Sequence, residues 1–207
     1  MKPFLLLLTG LAVCTWLPAY AATPLTESIF TEIIREANVI TATKTVAPAQ
    51  TNEVFKAPDR VRTGPASRVE LTAPDHTITR VGANTVFTFE TGERNILLEK
   101  GTVLFNSPAG AGGGTVRYHG TAAAVLGTTM VCAVLPDGSF KVLDLEGHVK
   151  VTLKNNLSVT LEAGQMIIVP PDGDQLGEVK SFNLAELSGR LLLVVGFSSP
   201  LPSLPLI

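Results

Sequence analysis

The chain has 207 residues, 45% of them hydrophobic but only 6% aromatic, with 16 basic residues against 18 acidic ones. The net charge of −2 is thinly spread, and no Lys/Arg cluster interleaves with aromatics, which excludes a phosphate-tracking nucleic-acid binder. Of its two cysteines only Cys132 lies beyond the first 21 residues, so an exported form has no intramolecular disulfide and must rest on its core and hydrogen bonds.

The first residues read as an address. Met1, Lys2 and Pro3 give a positively charged start, FLLLLTGLAVCTWL an apolar centre, and Ala19-Tyr20-Ala21 small residues at the cleavage positions, the pattern of a secretory signal peptide. A membrane anchor needs about 20 apolar residues, and this run is shorter and broken by Thr9, Gly10, Thr15 and Pro18. Lipidation at Cys14 is the rival reading; Val13 beside it is bulky and little apolar sequence precedes it. Cleavage after Ala21 removes Lys2 and leaves 15 basic residues against 18 acidic, in a length that suits one domain with extensions.

Residues 22–27 form a lead-in. Across 24–41, PLTESIFTEIIREANVIT, the apolar residues Ile29, Phe30, Ile33, Ile34 and Ala37 share one face of a helix, with Thr26 or Ser28 as a cap. The β-branched content of IFTEII, a turn at Arg35-Glu36 and the run NVITAT support two strands instead. From 44 to 67, Pro48, Pro58 and Gly64-Pro65 exclude any long helix.

From Ser67 the pattern is one of strands. SRVELTAP, HTITRV, NTVFTFE, NILLEK and TVLFNS are separated by turn residues, and after the GAGGG stretch, Gly110 to Gly114, the arrangement resumes with TTMVCAVL, FKVLDLE, HVKVTL, SVTLEA and QMIIVPP. Glycine interrupts apolar runs four times, at Gly82, Gly101, Gly147 and Gly164. These ten strands predict an all-β fold, a solenoid-like or double-sheet stack, with GAGGG a flexible connection between its halves and Gly127 at its centre. Beyond Pro170-Pro171-Asp172-Gly173 the reading is a short helix over 182–188, an apolar run Leu191 to Phe197, and a proline-rich tail, SSPLPSLPLI, lying extended on an apolar surface.

Chemistry-bearing residues are sparse. Cys132 with His119 would be a thiol and base, but Cys132 sits inside the apolar run TTMVCAV and no third group orients the pair. His76, His119 and His148 match no zinc spacing, Asp172-Gly173-Asp174 lacks a calcium loop, and GAGGG lacks the Gly-Lys-Ser/Thr ending of a phosphate loop. No catalytic, metal or cofactor residue is expected.

The phrases Ser67-Arg68-Val69-Glu70-Leu71, RVGANT from Arg80, LLEKG, the run GTTM from Gly127 and LEGHV resemble, in order, the phrases of the FecR domain, with the whole resemblance running over residues 28–172 and leaving 173–207 as an extension. The resemblance implies that IFTEIIREANVIT is the opening strand pair. It departs from the pattern at His76, where glycine is usual, and at His119-Gly120, where Thr-Pro is usual. Better-known members are iron-transport regulators with a cytoplasmic anti-sigma segment and a membrane helix before a periplasmic β region; a cleavable signal stands here instead. The resemblance therefore implies a freestanding exported protein, periplasmic or extracellular, not an enzyme, that binds a protein or glycan partner at the cell envelope. The alternatives are a structural component assembling through strand edges, or an envelope-side accessory of an anti-sigma system. Deleting residues 198–207 is expected to expose apolar surface and lower solubility or stability, and unchanged melting of the shortened chain would contradict a tail packed on the domain.

Overall fold

The computed structural model describes residues 23–207; the signal peptide expected over 1–21 lies outside the described residues. Among the described residues seventeen strands follow one another: β1 (Glu27–Ile34), β2 (Ala37–Ile40), β3 (Val46–Pro48), β4 (Val54–Lys56), β5 (Arg60–Thr63), β6 (Arg68–Thr72), β7 (Ile78–Val81), β8 (Val86–Phe89), β9 (Asn95–Asn106), β10 (Gly114–Tyr118), β11 (Thr121–Val125), β12 (Thr129–Val134), β13 (Phe140–Glu146), β14 (His148–Thr152), β15 (Ser158–Glu162), β16 (Gln165–Val169) and β17 (Lys180–Ser181). Two short helices, α1 (Leu184–Ser188) and α2 (Leu192–Val195), and a 3-10 turn at Leu204–Leu206 complete the chain. No helix among the described residues is long and apolar enough to cross a membrane.

The strands form two layers of one hydrogen-bonded network. Sheet A runs β4, β1, β6, β7, β9, β12, β13, β16, β17, and sheet B runs β3, β2, β5, β8, β9, β10, β11, β14, β15. Strand β9 belongs to both: Ile96 to Lys100 pair with β8, and Gly101 to Asn106 pair with β12. The turn between layers falls at Gly101, where φ is +86° and a Cβ would collide with Thr85. Thr85 closes the corner, its hydroxyl accepting from Thr102 N at 2.9 Å and its own amide donating to Thr63 Oγ1 at 3.0 Å. Of the two expected arrangements, the double sheet is therefore the one formed. All pairings are antiparallel except β9 with β10.

The main core lies between the layers. Phe30, Phe55, Phe87 and Phe89 pack with ring centroids 5.4 to 6.0 Å apart, contacts worth about 0.5–1.5 kcal/mol per pair beyond burial. Val69, Val81, Val103, Met130 and Val142 from sheet A meet Val61, Ile96, Val116, Val149 and Leu161 from sheet B. A second core covers the opposite face of sheet A, where Leu104, Val131, Leu143 and Leu145 meet Leu193, Val194 and Leu201 of the C-terminal extension.

Arg80 organises that second face. Its guanidinium is wholly buried, donating from Nε to Glu70 Oε2 at 2.7 Å, from Nη1 to the carbonyls of Leu193 at 3.1 Å and Val194 at 2.9 Å, and from Nη2 to Ser199 O at 2.5 Å. Its carbon centre also stands 4.4 Å from the centroid of the Phe197 ring. Glu32 accepts from Ser198 N at 2.9 Å, and Ser203 meets Thr129 at 2.8 Å and Asn106 at 3.2 Å. The tail is thus bound to the domain at several points and closes in a short 3-10 turn at Leu204–Leu206, where it was expected to lie extended.

The choice left open over 24–41 resolves as the strand pair that the resemblance implied, β1 and β2; a bulge between Phe30 and Glu32 shifts the alternation by one residue, so that the apolar positions mimic a helical stripe. Over 67–171 eleven strands form where ten were expected: NILLEK and TVLFNS are one strand, β9, and the Ala/Gly-rich β10 and β11 are held by neighbours rather than by propensity, while β3, β4 and β5 form in the proline-bearing stretch before them. GAGGG joins β9 to β10 through a loop over 110–113 and ends in structure: Gly114 opens β10, and a Cβ there would enter the Phe105 ring. Gly127 is not at the centre; it sits at the bend where the chain leaves β11 of sheet B for β12 of sheet A, against the backbone of Ala109.

Arg80→Ala would leave Glu70 buried without its cation and the carbonyls of Leu193, Val194 and Ser199 without a donor. Breaking a buried pair from one side costs about 3–5 kcal/mol, so the urea midpoint is expected to fall by that equivalent; a midpoint within 1 kcal/mol (about) of the parent would contradict the clamp.

Candidate functional site

With the outer face of sheet A covered, the outer face of sheet B is the open one. Across it runs a row in continuous register, Asn95, Thr115, Ala124, Lys150 and Thr160, contributed by β9, β10, β11, β14 and β15. Alternation in each strand aims this row outward, while Val116, Ala123, Val151 and Leu161 point into the core. The small side chains Ala124 and Thr115 leave a trough, and the groove above them has a volume of about 700 Å³, within the range of ligand sites.

Its walls are held by buried polar contacts. Arg94 donates from Nε to Gly113 O at 2.7 Å, from Nη1 to Thr23 O and to Asp75 Oδ2 at 2.6 Å each, and from Nη2 to Thr77 Oγ1 at 2.9 Å. One guanidinium thereby joins the glycine loop, the N-terminal lead-in and the turn before β7. Burial alone would raise the Asp75 carboxyl, but the Thr77 amide and the Arg94 side chain outweigh it and hold it below the usual carboxylate value. The opposite end is formed by Leu126, 85% exposed, with Thr128 and His148. Lys150, on the floor, makes no ion pair among the described residues.

Beside this end lie several buried polar groups. Thr128 Oγ1, Ser107 Oγ and Asp144 Oδ2 are buried without a hydrogen-bond partner among the described residues. Ser107 N donates to Thr128 O at 3.0 Å, and Asp144 Oδ1 accepts from Glu146 N at 3.0 Å. Burial pushes the Asp144 carboxyl up to about 7, with the neighbouring Glu146 charge adding to it and the Glu146 and Val149 amides opposing it.

The residues weighed from sequence fall apart in space. Cys132 is buried in the main core, its Sγ 3.9 Å from Met130 Sδ, and burial pushes its thiol well above the ordinary range. His119 is exposed on the turn between β10 and β11, stacked on Tyr118 at 4.2 Å and 8°, so the thiol and imidazole form no dyad. His76 is exposed on the turn before β7, and His148 is exposed at the groove. Asp174 pairs with Lys154 at 3.1 Å and donates its amide to Asp172 Oδ1 at 3.3 Å, the geometry of a solvated turn. Of the sequence candidates the groove gathers only His148 and part of the glycine stretch, Gly112 and Gly114. Leu126, Lys150, Arg94 and Asp144 were not singled out from sequence. The alternation in HVKVT marks His148 and Lys150 as facing away from the core; nothing local marks Leu126 or Asp144.

A double-sheet β domain with one face sealed and the other grooved is the class that this geometry defines. Residues 59–150 match the model of the family described as FecR protein, within the 28–172 span expected from its phrases. Two crystal structures of a candidate anti-sigma factor from Parabacteroides distasonis ATCC 8503, at 1.65 and 2.50 Å resolution, are similar to it. Their TM-scores are 0.54 and 0.53 and their identities 23% and 22%; each match covers 64% of this chain, and 64% and 63% of those chains. The chain thus spans less than two thirds of those proteins, and at such identity the likeness is one of fold. No curated protein matches the chain.

The Asp144 carboxyl yields a pH dependence of defined sign. Its folded value lies well above that of an ordinary aspartate, so the folded state holds the proton more tightly, and stability from this group falls as pH rises from about 4 through about 7. Asp144→Asn is expected to remove that slope, so that the difference in urea midpoint between variant and parent grows in the variant's favour from pH 4 to 8. A difference independent of pH would contradict the assignment.

Proposed function

We propose that this chain is a non-enzymatic binding module of the cell envelope, acting as an accessory on the exported side of an anti-sigma type of signalling system. The observation that carries the reading is the groove on the outer face of sheet B: a preformed trough of ligand size, walled by residues that Arg94 fixes, with Lys150, His148 and Leu126 exposed and Lys150 in no ion pair among the described residues. A protein or glycan partner suits this surface. Lys150 offers a charge for an acidic or hydroxyl-bearing group, the threonines of the row offer hydroxyls, and Leu126 offers an apolar contact at one end.

Two features support binding rather than catalysis. The one thiol beyond the leader is sealed in the core and held protonated, and the histidines lack an orienting partner. The FecR match and the description of the similar structures as a candidate anti-sigma factor favour a signalling context. The signal-peptide pattern over 1–21 favours export.

The test is affinity capture from envelope extract of the source organism with the parent chain and with Leu126→Asp and Lys150→Glu, both on exposed positions. The parent is expected to retain a discrete partner that both variants lose by at least about tenfold, with melting unchanged. Equal capture by parent and variants would remove the groove from the function.

A further inference from the structure

Four strand edges end the two layers, and they are unequal. Sheet A stops at β4, three residues, and at β17, two residues. Sheet B stops at β3, three residues ending in Pro48, and at β15, five residues, Ser158-Val159-Thr160-Leu161-Glu162. Shortness and proline are the usual means by which an edge is kept from pairing. Strand β15 has neither, nor a lysine or a bulge.

The backbone groups that β15 leaves free follow from its hairpin. Leu153 N donates to Leu157 O at 2.8 Å, which fixes the hydrogen-bonded pairs with β14 at Val151 with Val159 and Val149 with Leu161. The amides and carbonyls of Ser158, Thr160 and Glu162 therefore point away from β14. Among the described residues only the Glu162 amide is engaged, donating to Gln165 Oε1 at 3.0 Å. The side chains of Ser158, Thr160 and Glu162 are exposed on the outer face, Leu161 is buried, and Val159 is half-buried at the margin of the core.

This five-residue sequence is complementary to itself. Laid antiparallel about Thr160, it sets Thr160 against Thr160, Val159 against Leu161 and Ser158 against Glu162. The threonine pair exchanges both backbone hydrogen bonds, as does Ser158 with Glu162 once Gln165 swings aside. Val159 and Leu161 fall in the closer, non-hydrogen-bonded positions, where apolar pairs gain most. No like charges stand opposite one another. A register displaced by one residue would turn the apolar pair outward.

We propose that β15 is a homodimer edge, by which two copies of this chain join their sheets B across a twofold axis at Thr160. Because Thr160 also lies on the floor of the groove, the dimer sets two grooves side by side on one continuous sheet. This inference rests on the edge and not on what the groove binds.

The register makes a specific test possible. Hydrogen-bonded antiparallel partners have Cα atoms about 5.5 Å apart, within the span of a disulfide. Thr160→Cys is expected to oxidise to a covalent dimer through its own copy, whereas Ser158→Cys, which faces Glu162, is expected to stay monomeric under the same oxidation; Cys132 is buried and does not compete. Light scattering of the purified exported chain is expected to show mass doubling with concentration. Thr160→Pro is expected to abolish it without lowering the melting temperature, since the Thr160 amide is not part of the ladder to β14. A monomer at every concentration up to several hundred micromolar (about), equal cross-linking at both positions, or a dimer indifferent to Thr160→Pro would each overturn the proposal.

Discussion

The structure depends on how one buried cation is satisfied. Arg80 carries its charge where no water reaches, and the cost of removing a guanidinium from water, several kcal/mol after relaxation, is offset here by four hydrogen bonds. Glu70 supplies the charge from the adjacent strand of the same hairpin, and three carbonyls of the C-terminal extension supply the remaining acceptors. Neither the sheet nor the extension can satisfy Arg80 alone. The extension is therefore an obligatory third layer, and the apolar residues Leu193, Val194 and Leu201 are delivered onto sheet A by a polar anchor.

That anchor decides which surface is free to act. Both faces of sheet A are buried, one against sheet B and one beneath the extension, whereas sheet B is buried on one face only. Antiparallel sheets commonly leave one face to water, and here the solvated face carries the row Asn95, Thr115, Ala124, Lys150, Thr160 and the groove above it. Arg94 repeats on a smaller scale what Arg80 does, gathering a glycine loop, a turn and the lead-in around one cation. Both cations thus fix loops and turns around the sheets by donating to several acceptors at once.

The sequence made the strand-rich class and the FecR resemblance readable because both are written in local signals: alternation, turn residues and ordered phrases. It quoted both halves of the central ion pair, Glu70 within Ser67-Arg68-Val69-Glu70-Leu71 and Arg80 at the head of RVGANT, without revealing that they meet. Their meeting depends on the hairpin register of β6 and β7, and the fate of Arg80 on a contact more than a hundred residues away. Residues 24–41 stayed open between helix and strands on periodicity alone because one bulge moved the phase of alternation at Phe30, and the FecR resemblance pointed to the strand pair that forms. Strands β10 and β11 were missed since glycine and alanine rank low as strand formers, and it is close packing of their neighbours that holds them. The groove was invisible for the same reason: its floor comes from five strands, and no short stretch of sequence carries more than one residue of the row.

Hydrogen exchange measured by mass spectrometry, on the exported chain alone and with its captured partner, tests most directly the claim that sheet A is sealed and sheet B is the working face. Amides of 192–201 are predicted to exchange as slowly as those of β12 and β13 and to be unchanged by the partner, while new protection appears over 114–128 and 148–162. Fast exchange throughout the extension, or partner protection concentrated on β7, β12 and β13, would contradict it.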